Sequence, residues 1–277
     1  MTKDFRLALC QMDVVDCKQT NVAKALQMLD KAADGGAAVA VLPEMFNCPY
    51  DNKKFGEYAE SMPDSPTAGA ISKKAAELGI YVVAGSIPER DGTNLYNTCF
   101  VFGREGAILG RHRKMHLFDI DVKGKIRFME SEVLSSGGDS TIVETEFCKI
   151  GIAICYDIRF PELSRLMALE GAEVIIIPGA FNMVTGPAHW ELLIRARALD
   201  NQVYVAAASP ARSLTASYTA YGNSMVASPW GSVLQRTSEK EAIVFADIGA
   251  EEIDRVRREL PLLKHRRTDL YELCKKV

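Results

Sequence analysis

Apolar positions along this chain of 277 residues fall into two recurring patterns, short runs of strand length and one-sided stripes of helical period. Residues 6–12 (RLALCQM) alternate enough to begin a sheet. Val22, Ala25, Leu26 and Leu29 then mark one face of a helix that Gly35-Gly36 stops. A continuous apolar strand over 38–42 runs straight into Pro43-Glu44, and a second helix over 67–78 ends at Gly79. A strand over 81–87 leads to a turn over 88–94 carrying Asp91-Gly92, a hairpin signal, then to an antiparallel pair over 95–102 and 107–112.

The second half repeats the theme. Strands are predicted over 141–145 and 151–154, a helix over 162–169 with Gly171 at its stop, and a wholly apolar strand over 174–177 ending in Pro178-Gly179. A helix over 187–199, a strand over 203–208, a strand pair within 224–234, a closing strand over 242–247 and a short helix over 253–260 complete the pattern. Strand-helix alternation followed by hairpins predicts an α/β protein with mixed sheets and helices outside. No Pro/Ser-rich linker or low-complexity segment interrupts it, so one domain over 1–277 is expected, with a tail from about residue 261 that follows the short helix and carries the basic stretch 264–267. Residues 113–140 lack firm periodicity. Loops of that length inside a compact domain are usually functional, and this one carries Lys114, His116, Lys125, Glu130 and Glu132.

Composition narrows the function classes. A net charge of -3 and a pI near 5.9 give no electrostatic case for nucleic acid or an anionic membrane. The charge-free run 213–235 is too rich in Ser, Thr, Gly and Asn to span a bilayer. Seven cysteines without a CxxC pair, and no secretory signal over residues 1–10, point to reduced thiols and a cytoplasmic protein. No metal is expected: HExxH and paired Cys/His spacings are missing, and His112 and His116 lie across a strand end and a loop, where four-residue spacing does not bring them to one face. No glycine fingerprint for a nucleotide follows the first strand.

Candidate chemistry gathers at strand ends, where ligands and catalytic groups of α/β sheets collect. In GIAICYDIRFPEL (151–163) a buried strand ends at Cys155, and Pro161-Glu162 opens a helix. Backbone N–H groups and the helix dipole at such a junction favour the thiolate. A thiol nucleophile needs a base and an oxyanion stabiliser. Glu44, ending its own apolar strand, is better placed as base than His189, and Lys114 at the start of the long loop supplies positive charge.

VLPEMF, RHRKMHLFD and GIAICYDIRFPEL, with Glu44, Lys114 and Cys155 at separations of 70 and 41 residues, resemble the three signature segments of the nitrilase, or carbon–nitrogen hydrolase, superfamily. TGPAHWELLIRARALDNQVYVAAASPAR and HRRTDLYEL are similar to its ω-amidase branch. The resemblance implies a four-layer αββα sandwich and a Glu-Lys-Cys triad, with Glu44 as general base and acid, Lys114 stabilising the tetrahedral intermediate and Cys155 as nucleophile. It also implies the Tyr156 backbone N–H in the oxyanion hole, Glu130 as a second glutamate orienting Lys114, and no cofactor. For substrate it implies the terminal amide of a short dicarboxylic monoamide such as α-ketoglutaramate or α-ketosuccinamate. Arg159, Phe181 and Tyr50 are then pocket candidates, and a guanidinium is suited to a carboxylate. A homodimer or larger homo-oligomer, with the tail at an interface, is implied as well.

Cys48 and Asn223 stand where the branch often has Ser and His, and RFPEL with Pro161 is closer to other branches. Deaminated glutathione amidase and N-carbamoyl amidase are therefore the rival activities. A non-catalytic interaction module on the same fold is disfavoured, because Glu44, Lys114, Glu130 and Cys155 are all retained.

Overall fold

The computed structural model describes residues 3–276, so Met1, Thr2 and Val277, the ends of the expected 1–277 domain, lie outside the described residues. In chain order the first half runs β1 (Phe5–Gln11), α1 (Lys18–Asp34), β2 (Val39–Val41), α2 (Asn52–Tyr58), α3 (Pro66–Leu78), β3 (Tyr81–Val83), β4 (Ile87–Asp91), β5 (Asn94–Phe102) and β6 (Ile108–Arg113). A hairpin follows, β7 (Asp119–Val122) and β8 (Ile126–Met129). The second half is β9 (Thr141–Glu144), β10 (Lys149–Ile152), α4 (Pro161–Leu169), β11 (Val174–Pro178), α5 (Gly186–Asn201), β12 (Tyr204–Ala208), β13 (Met225–Ala227), β14 (Val233–Arg236), β15 (Ala242–Ile248) and α6 (Ala250–Glu259).

Two mixed sheets result. The first has strand order β15-β1-β2-β3-β5-β4, with β6 also on β5; the second runs β14-β13-β12-β11-β10-β9. β1, β2 and β3 are mutually parallel, as are β10, β11 and β12. Strand periodicity decides what each face meets. Leu7, Leu9, Val39 and Val41 point into a core shared with Ile150, Ile152 and Ile176 of the second sheet. Their neighbours Ala8, Cys10, Ala40 and Leu42 point the other way, onto Leu29 of α1 and Ile71 and Ala75 of α3. Leu163 and Met167 of α4 and Trp190 and Ile194 of α5 cover the far side of the second sheet. The layers are helix, sheet, sheet, helix, the αββα order expected.

The differences lie where local geometry overrides pattern. The strand expected over 81–87 breaks at Gly85, whose φ of 50° is left-handed, and a separate strand β4 starts at Ile87 and runs on through 88–91, where a turn was expected. A Cβ on Gly85 would lie 2.0 Å from the Pro43 carbonyl oxygen, so the break lets the chain pass against Pro43-Glu44. The aperiodic stretch 113–140 contains the β7–β8 hairpin and a 3₁₀ turn, Glu130–Glu132. Helix α2, capped by the Asp51 carboxylate accepting from the Lys53 N–H, had no clear periodic signal because it is only seven residues long.

Candidate active site

Glu44, Lys114, Glu130 and Cys155 come together between the sheets, each at most 3% exposed. Glu44 follows the carboxyl end of β2, and its loop is pinned by the Met45 N–H donating to Ser86 Oγ (3.0 Å) and the Phe46 N–H donating to the Ser86 carbonyl (3.2 Å). Lys114 follows β6, held to β5 by its N–H donating to the Asn97 carbonyl at 2.8 Å. Glu130 opens the 3₁₀ turn after the β7–β8 hairpin.

Lys114 Nζ donates to Glu44 Oε1 and to Glu130, both at 2.9 Å. Glu44 Oε1 also accepts from Asn97 Nδ2 at 2.9 Å, and Oε2 from the Ala180 N–H at 2.8 Å. Glu130 accepts from the Tyr50 hydroxyl and the Phe118 N–H, each at 2.6 Å. Each buried carboxylate thus has three donors in place of its lost hydration.

Burial raises the Glu44 carboxyl above its ordinary value, with Lys114 opposing and Glu130 reinforcing the shift. For Lys114, burial pulls the ammonium down, but Glu130 and Glu44 outweigh it, and the group is held up and charged. The Cys155 thiol is pushed well up by burial and then by the Glu44 charge, against Lys114. This overturns the expected bias toward thiolate. Cys155 lies three residues past β10 in a 3₁₀ turn, Cys155–Arg159, and α4 does not begin until Pro161, so no helix terminus offsets desolvation of the sulfur. Both partners of the Cys155–Glu44 pair are thus held toward their protonated forms. Cys155 itself has φ 46°, left-handed for a residue with a Cβ, a conformation costing about 1–2 kcal/mol that the surroundings must hold.

A narrow crevice opens on Cys155, lined also by Arg159, Phe181, Thr185, Phe118 and Tyr218. The Arg159 guanidinium lies 4.7 Å from the Phe181 ring centre, with Nη1 3.1 Å from His189 Nδ1. Burial lowers its pKa. Among the described residues no carboxylate forms an ion pair with it. His189, the alternative base, meets Arg159 rather than joining the glutamate–lysine cluster. Tyr156 follows Cys155 in the turn, its ring edge-on to Phe118 at 5.3 Å.

Tyr50 departs from expectation. Its hydroxyl is committed to Glu130 and lies 3.3 Å from Lys114 Nζ, and its ring lies tilted against that of Tyr218, centres 4.6 Å apart. It borders an outer cleft with Glu44, Met45, Ser213 and residues 215–218, which meets the crevice of Arg159 and Phe181 at Ala180 and Tyr218. Its phenol proton is donated into the ion cluster.

His112 and His116 depart as well. Both converge on Asp157, His112 Nε2 at 3.1 Å and His116 Nδ1 at 2.8 Å, because the chain bends between strand β6 and the following loop. Sequence reasoning missed Asp157, Asn97 and Tyr218. The available signals were a carboxylate two residues beyond Cys155 and a polar residue interrupting an apolar strand.

This chain belongs to the carbon–nitrogen hydrolase family, whose model matches residues 6–258. It is 54% identical over 269 residues to the omega-amidase NIT2 of Danio rerio and 50% identical over 267 residues to that of Homo sapiens, covering 97% and 96% of each pair. Among solved structures it resembles Saccharomyces cerevisiae Nit3, a member of branch 10 of the nitrilase superfamily, with TM-score 0.89 and 40% identity over 96% of this chain and 97% of that one. The Caenorhabditis elegans NitFhit protein also aligns with TM-score 0.89, at 33% identity over 98% of this chain and 67% of that one.

Proposed function

We propose that this chain is an ω-amidase that hydrolyses the terminal amide of a short dicarboxylic monoamide, α-ketoglutaramate or α-ketosuccinamate. The observation that carries the substrate reading is a half-buried arginine, without a carboxylate partner among the described residues, in the same narrow crevice as Cys155. An unpaired guanidinium in a desolvated pocket gains most from a bound carboxylate. Phe181 and Tyr156 flank that cation and give the acyl chain an apolar wall.

In this reading Glu44 takes the thiol proton as Cys155 Sγ attacks the amide carbon. The oxyanion is met by the Lys114 ammonium and the Tyr156 N–H, and Glu130 and Tyr50 keep Lys114 oriented. Glu44 returns its proton to the amide nitrogen, the C–N bond breaks, and ammonia leaves a thioester on Cys155. Glu44 then deprotonates water, which attacks the thioester carbon. Collapse releases the acid, and the departing sulfur regains its proton from Glu44. Acid–base help of this type is worth about 10²–10⁴-fold and an oxyanion donor roughly 10²–10³-fold.

The same reading takes the chain as a single domain acting in the cytoplasm as a homodimer or larger homo-oligomer, with the tail from about residue 261 at an interface. No helix among the described residues is long and apolar enough to cross a membrane. The test is ammonia release from α-ketoglutaramate, wild type beside Cys155→Ala. Release by the wild type alone supports the reading; equal release from both removes Cys155 as nucleophile. Faster turnover of deaminated glutathione than of α-ketoglutaramate would sink the short-substrate assignment.

A further inference from the structure

Asp157 is the most heavily engaged side chain near Cys155 that the chemistry above does not use. It is fully buried, and both oxygens are doubly occupied. Oδ2 accepts from the Ile154 N–H at 2.9 Å and faces His112 Nε2 at 3.1 Å. Oδ1 accepts from the His116 N–H at 2.9 Å and faces His116 Nδ1 at 2.8 Å. A carboxylate only accepts, which assigns the ring protons to His112 Nε2 and His116 Nδ1. Burial would push the Asp157 carboxyl up, but hydrogen bonds from His112, His116 and Ile154 outweigh it and hold the group well below the usual carboxylate range.

The placement of these partners matters more than their number. Ile154 immediately precedes Cys155, so Asp157 closes a tight ring around the left-handed nucleophile residue. His112 and His116 stand two residues either side of Lys114. One carboxylate therefore ties the turn carrying the thiol to the segment carrying the ammonium. His112 is anchored in turn by Thr141 Oγ1 at 3.2 Å from Nδ1, and the His116 ring stacks on Phe160 at 3.7 Å. We infer that Asp157, gripped by His112 and His116, is a positioning residue for amide hydrolysis: it sets the Cys155–Tyr156 backbone, and with it the aim of the thiol at Glu44 and of the Tyr156 N–H at the oxyanion. The inference rests on the amidase reading only for the choice of substrate.

The test combines turnover of α-ketoglutaramate with alkylation of Cys155 by uncharged iodoacetamide, followed by mass spectrometry, on full-length variants whose folding is checked by circular dichroism. A misplacement of about 1 Å costs on the order of 10²-fold in rate, so Asp157→Asn is expected to lower kcat by about that factor with KM nearly unchanged. Alkylation should slow in parallel. His116→Ala, a change at a side chain 30% exposed, should lower kcat in the same sense and carries the test if Asp157→Asn does not fold. His116→Asn, which returns an N–H donor near the position of Nδ1, should recover much of that loss. A folded Asp157→Asn or His116→Ala with wild-type kcat overturns the inference. So does an unchanged alkylation rate in Asp157→Asn, or a His116→Asn no better than His116→Ala. If the wild type releases no ammonia from α-ketoglutaramate yet alkylation still slows in Asp157→Asn, the substrate assignment fails and the positioning role stands.

Discussion

Lys114 Nζ and Glu44 Oε1, seventy positions apart in the chain, meet at 2.9 Å with neither side chain exposed to solvent. The pair is neither symmetric nor isolated, since Glu130 shares the same ammonium. Two carboxylates on one lysine keep Lys114 protonated, while burial, with Glu130 adding to it, makes Glu44 a stronger base than an exposed glutamate.

That asymmetry sets the pH dependence. Glu44 accepts a proton only when ionised, and burial followed by Glu130 raises its pKa. The kcat/KM profile is therefore expected to climb with pH through a value above the ordinary glutamate figure of about 4.3. Glu130→Gln removes a negative neighbour, so the acid limb should move to lower pH even as turnover falls. A limb that moves up, read from initial rates across pH, would contradict this account of the charge balance.

Asn97 is expected to tune the same group from the other side. Its Nδ2 donates to Glu44 Oε1 at 2.9 Å. A hydrogen bond to a charged group is worth roughly 1.5–3 kcal/mol, and losing one that favours the ionised form raises a carboxyl pKa. Asn97→Leu should therefore shift the acid limb upward and cut kcat at neutral pH by about ten-fold or more. An unmoved limb with reduced stability would leave Asn97 a packing residue only.

Arg159 separates recognition from chemistry. Arg159→Met keeps much of the stem's bulk against Phe181 but removes the cation. KM for α-ketoglutaramate is expected to rise about 10–100-fold, the equivalent of one charge-assisted hydrogen-bonded pair, with a smaller change in kcat. An uncharged primary amide of similar length should lose much less. Equal losses on both substrates would show that Arg159 supports the site rather than reading a carboxylate.

Gly85 is the position where a single methyl should do most harm to the fold near Glu44. Its φ is 50°, and a Cβ would fall 2.0 Å from the Pro43 carbonyl oxygen and 2.8 Å from that of Leu42. Gly85→Ala is expected to destabilise the protein by more than about 2 kcal/mol, because left-handed strain and a backbone clash add. Urea denaturation checks it, and a midpoint equal to wild type would mean that the chain relaxes freely there.

Much of this molecule was legible in its residues. Alternation placed β1 and β15 within a residue or two, and the wholly apolar run ending at Pro178-Gly179 placed β11. The β3–β4 break was not legible, because it depends on how closely Gly85 approaches Pro43, a contact between segments forty residues apart. Nor was α2, too short for a period to declare itself. The β7–β8 hairpin was hidden because its strands rest partly buried over the site instead of alternating against a deep core.

For the site, residue types and order alone brought forward the candidates: a thiol and a carboxylate at the ends of apolar strands and an ammonium at the start of the long loop, within segments resembling one superfamily. Protonation was decided only in three dimensions. The thiolate expected at a strand–helix junction became a thiol, since burial and a facing carboxylate raise a cysteine pKa and the helix begins too late to oppose them. The roles of Tyr50, Asn97 and Asp157 were likewise tertiary, because hydrogen bonds and Coulomb forces act over a few ångströms of space that sequence separation does not measure.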